Sequence, residues 1–305
     1  MSQSRFTYSW AVRFTVSDDT VLVTDGGLAT ELEARGHDLS DDLWSARLLR
    51  DAPEEIAAVH DAFFAAGAVI ATTASYQASF DGYAQRGIDR TGAELLLRRS
   101  VELGKAARDR AGGTGWVAAS VGPYGATLAG GEEYIGRYGL SVSALADWHR
   151  PRLEVLTTAQ PDVLALETVP DIDEAEALVG LVQDLGVPAW LSYTIAGGYT
   201  RAGQPLAEAF AVAAGVPEIV AVGVNCCAPG DVLNAVTVAR RVTGKPVIVY
   251  PNSGEDWDGP ARVWTGSAGF SPGQAASWVA AGARIVGGCC RIRPTDITAI
   301  AAAVR

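Results

Sequence analysis

Eight short apolar runs recur along this chain, and most are followed by a stretch in which apolar residues return every three or four positions. The runs occupy residues 21–24, 68–73, 116–120, 162–167, 189–194, 219–225, 247–250 and 283–287. They are rich in Val, Ile and Ala and too short for ordinary helices, so they read as strands buried on both faces. Residues 53–66, 91–111, 172–185, 231–242, 271–281 and 295–304 read as amphipathic helices. Several open on a start signal: Asp51-Ala52-Pro53, Asp171 before Ile172, and Ser271-Pro272. Eight strands alternating with helices predict a closed (β/α)8 TIM-type barrel, with a doubly wound open sheet as the competing arrangement. No linker or composition break divides residues 21–305, which are expected to form a single domain. Residues 1–20 form an N-terminal extension, whose segment 6–16 is expected as a hairpin or cap at the barrel bottom.

The connections are lopsided. Segments after helices are short, whereas those after strands (26–50, 122–139, 196–205 and 251–269) are long and rich in glycine and aromatics. A barrel of this kind carries its chemistry on the strand-to-helix loops, so the C-terminal face is expected to be the working face.

All four cysteines fall on that face, in two adjacent pairs: Cys226-Cys227 after the sixth strand and Cys289-Cys290 after the eighth. Thiolates are soft ligands that favour zinc, and two strand ends that meet would gather three or four sulfurs at one point. Neighbouring residues on a straight strand face opposite ways, so both Cys289 and Cys290 can reach one ion only if the backbone bends. Gly287-Gly288 is expected to supply that bend. The residues alone leave open which of Cys226 and Cys227 binds. A disulfide framework is disfavoured by the few cysteines and by an N-terminus without the layout of a signal peptide, which makes the cytoplasm the default location.

Two carboxylates also end strands. Asp25 precedes Gly26-Gly27 after the first strand, and Glu167 ends the fourth. They can serve as acid and base, or jointly hold one cationic group such as an amine, while the Gly26-Gly27 backbone offers N–H groups to a carboxylate. Together these suit an amino-acid head. Tyr76, Tyr124, Tyr134, Tyr138, Tyr199, Trp257 and Trp264 crowd the same loops and could form a cage for a cation. His37, His60 and His149 all lie away from strand ends, which argues against a histidine-rich hydrolase site.

Composition narrows the partners. The chain has 305 residues, 49% of them hydrophobic, and a formal net charge of −11. Such a balance argues against nucleic acid or an anionic membrane as partner, and no apolar run approaches the ~20 residues of a membrane span. Small molecules are the expected partners, with the protein a monomer or small homo-oligomer.

The segments DGGLATELEARG, LWSARLL, TASYQAS, SVGPYGATLAGGEEYIG, HRPRLEVL, LALETVP, GVNC, VYPNSGE and GGCCR, taken in order from about Val21 onward, resemble the zinc-dependent homocysteine S-methyltransferase family. The resemblance is strongest to the short bacterial and plant-type members that use S-methylmethionine. It implies Cys226, Cys289 and Cys290 as zinc ligands, with Cys227 extra. It also implies Asp25 and Glu167 on the homocysteine amine and the Gly26-Gly27 backbone on its carboxylate, with Asn225, Tyr76 and Tyr124 as further substrate-binding candidates. The implied reaction moves a methyl group from S-methylmethionine (or S-adenosylmethionine) to the sulfur of zinc-bound homocysteine, forming methionine. A betaine- or selenocysteine-type methyltransferase on the same barrel is the alternative.

Overall fold

The computed structural model describes residues 14–40, 43–128, 130–258 and 263–304. Eight parallel strands form its centre: β1 (Leu22–Val23), β2 (Ile70–Thr72), β3 (Trp116–Val121), β4 (Val163–Val169), β5 (Ala189–Tyr193), β6 (Ile219–Asn225), β7 (Val247–Tyr250) and β8 (Ala283–Val286). Each pairs with its neighbour in chain order, and β8 pairs with β1. A bridge between Thr24 and Ile70 joins the last two edges, reinforced by the Val69 N–H donating to the Val23 carbonyl at 2.7 Å. The sheet is a (β/α)8 barrel, as the rhythm of the sequence predicts. The ring is nearly closed, and β4, β5 and β7 are buried along their whole length, which is why they lack any polar alternation.

The helices follow the apolar periodicity closely. Those observed are Pro53–Ala65, Arg90–Arg110, Ile172–Leu185, Val232–Thr243, Pro272–Ala281 and Pro294–Val304. Ser271 and Gln274 form a reciprocal capping box at one start, and the Asp171 side chain accepts the Asp173 N–H at another. Asp51 does not cap Pro53–Ala65: its carboxylate turns to Arg50 and Arg47 instead. Val142–Thr158 is an additional helix with Pro151 inside it. A proline there removes one backbone donor and blurs the helical pattern in the sequence. Segment 26–50, read as loop, contains the short helices Leu28–Ala34 and Leu48–Asp51.

The barrel interior is filled by Phe14, Ile70, Ala118, Val163, Ala165, Trp190, Ala221, Ile248, Tyr250 and Ile285. Phe14 packs edge-on against Trp116 at 5.3 Å and tilts against Trp190 at 6.2 Å, at the end of the barrel where β3 and β5 begin. Most of the expected 6–16 hairpin lies outside the described residues. Above this packed layer, the strands' C-terminal ends turn polar, and there the cavity begins. Among the described residues no helix is long and apolar enough to cross a membrane.

Candidate active site

The strand ends open into a cavity of about 560 Å³. Asp25, Glu167, Asn225, Tyr250, Cys226, Cys289 and Cys290 form its deep end, and residues within 28–40 and 130–134 build its outer walls. Of the four long loops, these two supply the lining among the described residues.

The sulfurs of Cys226, Cys289 and Cys290 all lie within 4.8 Å of one another. Those of Cys226 and Cys289 are in direct contact, paired as in a disulfide, with Cα atoms 5.6 Å apart, and the Cys289 and Cys290 sulfurs are 4.0 Å apart. The end of β7 stitches the two pairs together. Cys226 donates its N–H to the Tyr250 carbonyl at 3.3 Å, Cys289 donates to the Pro251 carbonyl at 2.8 Å, and Cys290 donates to Asn252 Oδ1 at 3.1 Å. Cys227 points the other way: it is fully buried in the apolar layer between sheet and helices, where burial pushes its thiol up to about 12. The structure thus separates the two members of the first pair, which the residue types alone could not.

The expected bend at Gly287-Gly288 has a different cause. Neither glycine has a left-handed backbone; the residue that does is Arg291, at φ 65°. What the glycines provide is room. A Cβ on Gly287 would lie 2.4 Å from Thr24 Cγ2 and 2.8 Å from the Asp25 carbonyl oxygen, and one on Gly288 would lie 2.2 Å from Ile292. The end of β8 can press against the end of β1 only without those side chains. This contact brings the Cys289-Cys290 pair beside Asp25.

Asp25 is buried and held by three donors: Thr72 N–H at 2.6 Å, Thr72 Oγ1 at 2.9 Å and Thr24 Oγ1 at 3.1 Å. Glu167 accepts hydrogen bonds from Ser120 Oγ and from the Tyr250 hydroxyl, the latter at 3.0 Å. Burial pushes Asp25 up to about 7 against the pull of its hydrogen bonds. Glu167 is also pushed to about 7, chiefly by burial, with the charge of Asp25 adding to the rise. Two oriented carboxylates whose ionised forms are penalised by desolvation and by each other make a receptor for one shared cation. No lysine or arginine lines this cavity among the described residues.

Other expected residues take different roles. Asn225 lines the cavity, but its Oδ1 accepts from Thr168 N–H at 2.7 Å and Ser192 Oγ at 2.8 Å, while its Nδ2 donates to Thr168 Oγ1 at 2.7 Å. Its amide is engaged with the strand ends. Gly27 gives its N–H to the Ile292 carbonyl at 2.9 Å, which leaves the Gly26 amide as the one this pair can present. Tyr76 lines the cavity. Tyr124 does not: its ring packs on Tyr138 at 5.3 Å and Trp148 at 5.1 Å, because the turn after β3 carries it to the outer surface of that loop. Of the remaining expected aromatics, Tyr134 joins Tyr76 in the cavity, whereas Tyr138 and Tyr199 do not. The side chains of Trp257 and Trp264 lie outside the described set. Among the described residues the expected aromatic cage therefore reduces to Tyr76 and Tyr134.

Among the histidines, His37 sits in the outer wall beside Glu55, at 3.4 Å. His149 is buried against Glu174 at 2.8 Å. Burial holds His60 down to about 4. Thr72, Ser120, Tyr250 and Asn252 brace Asp25, Glu167 and Cys290, a role that the sequence did not assign to them. Their signal was available, since each is a polar residue at or just beyond the end of an apolar strand.

The homocysteine S-methyltransferase family model matches residues 22–304. Homocysteine S-methyltransferase of Escherichia coli strain K12 is 44% identical over 306 residues, covering 95% of this chain and 97% of that protein. Homocysteine S-methyltransferase YbgG of Bacillus subtilis is 42% identical, covering 93% of this chain and 95% of its own length. Among solved structures, the metallated form of the Escherichia coli homocysteine methyltransferase MmuM superposes with a TM-score of 0.83 at 43% identity, covering 93% of this chain and 96% of that one. A family match spanning the whole barrel, together with its sulfur cluster and paired carboxylates, establishes that the chain belongs to the homocysteine S-methyltransferase family.

Proposed function

We propose that this methyltransferase uses a zinc centre on Cys226, Cys289 and Cys290 to methylate homocysteine, with S-methylmethionine as donor and methionine as product. The observation that carries the reading is the placement of three sulfurs within 4.8 Å of one another in the same cavity as two buried carboxylates. The donor set fits zinc: three thiolates with one position left is a known catalytic pattern for that ion, and burial pushes the Cys290 thiol up to about 12, so a soft cation is what would ionise it. Zinc held there would supply Lewis acidity that keeps a substrate thiol deprotonated at neutral pH.

The chain's own residues do the rest. Asp25 and Glu167 hold the homocysteine ammonium between them, and the Gly26 amide faces its carboxylate. Thr72, Thr24, Ser120 and Tyr250 fix the two acidic groups in place, so little reorganisation is needed when the amine arrives. Tyr76 and Tyr134 flank the space left for the donor. The leaving group is a neutral thioether, so no general acid is required, and none is needed among the lining residues. Small molecules are thus the partners, and the cytoplasm, where thiols stay reduced, suits the centre.

The test is direct. Zinc-loaded protein and homocysteine are mixed with S-methylmethionine, S-adenosylmethionine or betaine in turn, and methionine is measured. Turnover greatest with S-methylmethionine is expected. Turnover with betaine and none with either sulfonium would move the chain to a betaine-type reaction.

A further inference from the structure

The turn Glu132–Tyr134 over the cavity carries two adjacent glutamates with different fates. Gly131, at φ 91°, reverses the chain into a tight turn closed by Tyr134 N–H to the Gly131 carbonyl at 3.0 Å and Ile135 N–H to the Glu132 carbonyl at 2.9 Å. Glu132 bends back to accept the Gly130 N–H at 2.8 Å, so its carboxylate serves the turn. Glu133 faces inward and lines the cavity. One of its carboxylate oxygens, Oε2, is shut off from solvent and has no hydrogen-bond partner. A buried acceptor left without a donor is costly, the more so when charged, and a ligand would satisfy it.

The surroundings indicate which ligand. The charge of Glu133 acts on Tyr76, Tyr134 and Cys290. Tyr134 is itself hydrogen-bonded to Cys290. Glu133 therefore shares one cavity with Tyr76, Tyr134 and the Cys290 sulfur and lies within electrostatic reach of all three. Asp25 and Glu167 are matched by one amine at the deep end, and the lining offers no lysine or arginine to match Glu133.

We propose that Glu133 is the counter-charge for the positive sulfur of the methyl donor, selecting a sulfonium amino acid over its neutral thioether. This rests on the reading that the donor is a sulfonium. Burial holds the Glu133 carboxyl up to about 7, which a bound cation would reverse by favouring the ionised form. During transfer the homocysteine sulfur forms the new S–C bond, and the electron pair of the broken C–S bond returns to the donor sulfur. The donor becomes neutral, so its attraction to Glu133 disappears as product forms. Glu133 then strengthens ground-state donor binding and leaves the neutral product without that hold, and does not contribute to the chemical step.

The experiment compares zinc-loaded wild type with Glu133→Gln, Glu133→Ala and Glu133→Asp, using S-methylmethionine as donor and methionine as the neutral thioether inhibitor. For Glu133→Gln and Glu133→Ala the donor KM should rise about 10- to 150-fold, the loss of one charge-assisted contact, with kcat within about threefold. Metal content, homocysteine KM and inhibition by methionine should stay close to wild type, and Glu133→Asp should retain most of the preference for charge. A donor KM within about twofold of wild type in both uncharged variants overturns the proposal. So does an equal weakening of methionine, which would mean that Glu133 shapes the pocket rather than reads charge. The wild-type assay separates the two claims: a wild type that turns over no sulfonium refutes the donor reading itself, and this inference with it.

Discussion

Asn225 grips Thr168 from two sides, accepting its N–H at 2.7 Å and donating to its Oγ1 at 2.7 Å. Thr168 has φ 59°, a left-handed conformation that a β-branched residue adopts only under constraint. The grip spans two strand ends, β4 and β6, and fixes the backbone directly after Glu167. Asn225 thus braces the backbone beside Glu167, whose carboxylate is held by Ser120 and Tyr250.

Replacing Asn225 with Ala should release that strain and let Glu167 drift. A stability loss of about 1–3 kcal/mol is expected, together with a higher homocysteine KM and retained metal. Glycine tolerates the left-handed region, so the double variant Asn225→Ala/Thr168→Gly should recover homocysteine affinity in part. Thermal melts and homocysteine titrations decide the point. No recovery in the double variant would mean that Asn225 touches the substrate directly.

Metal content should divide the four cysteines three to one. Cys226→Ser, Cys289→Ser and Cys290→Ser should each lose zinc and activity, because the remaining two sulfurs cannot close the site. Cys227→Ser should keep both, at a modest stability cost from placing a hydroxyl in the apolar layer. Metal analysis of the purified variants measures this. Loss of zinc in Cys227→Ser with retention in Cys226→Ser would reverse the assignment.

The barrel was legible because its strands are buried on both faces and leave uninterrupted apolar runs, each bounded by turn residues. The deep end of the site was legible for a related reason: Asp25, Glu167 and the cysteines stand where those runs stop. What side chains do there was less legible. Asn225 and Tyr124 occupy suggestive positions, yet one braces Thr168 and the other packs on Tyr138 and Trp148. Strand order tells where a residue sits, not which neighbour satisfies its polar atoms. Glu133 shows the same limit, since only the packed turn distinguishes it from Glu132.

Asp25→Asn and Glu167→Gln should weaken homocysteine without removing zinc. Each would delete the charge-assisted bond to the amine proposed above, worth about 1.5–3 kcal/mol, or roughly 10- to 150-fold in affinity. Tyr250→Phe should reproduce part of the Glu167→Gln effect, because the Tyr250 hydroxyl both donates to Glu167 at 3.0 Å and accepts from Trp190 Nε1 at 3.0 Å. A simple thiol lacking the amine should respond little to any of the three. Zinc loss on changing either carboxylate would instead make it a support of the metal site.

The same two carboxylates set opposite pH trends for stability and for binding. Their folded pKa values are about 7, above the ordinary values of 3.8 and 4.5, so the folded ligand-free chain binds more protons than the unfolded chain in between. Their contribution to stability is therefore greatest at acid pH and falls as pH rises from about 4 to 7. On the proposed binding mode homocysteine needs both ionised forms, so its affinity should fall more steeply below pH 7 than above it, where only release of the thiol proton contributes, by up to about tenfold per unit for each group protonated. Titrations between pH 5.5 and 8 on zinc-loaded protein read the slope, with zinc content followed in parallel because thiolates also release metal in acid. In Glu167→Gln the slope should flatten toward that of one carboxylate. A wild-type affinity unchanged across this range would show that the amine does not bind between Asp25 and Glu167.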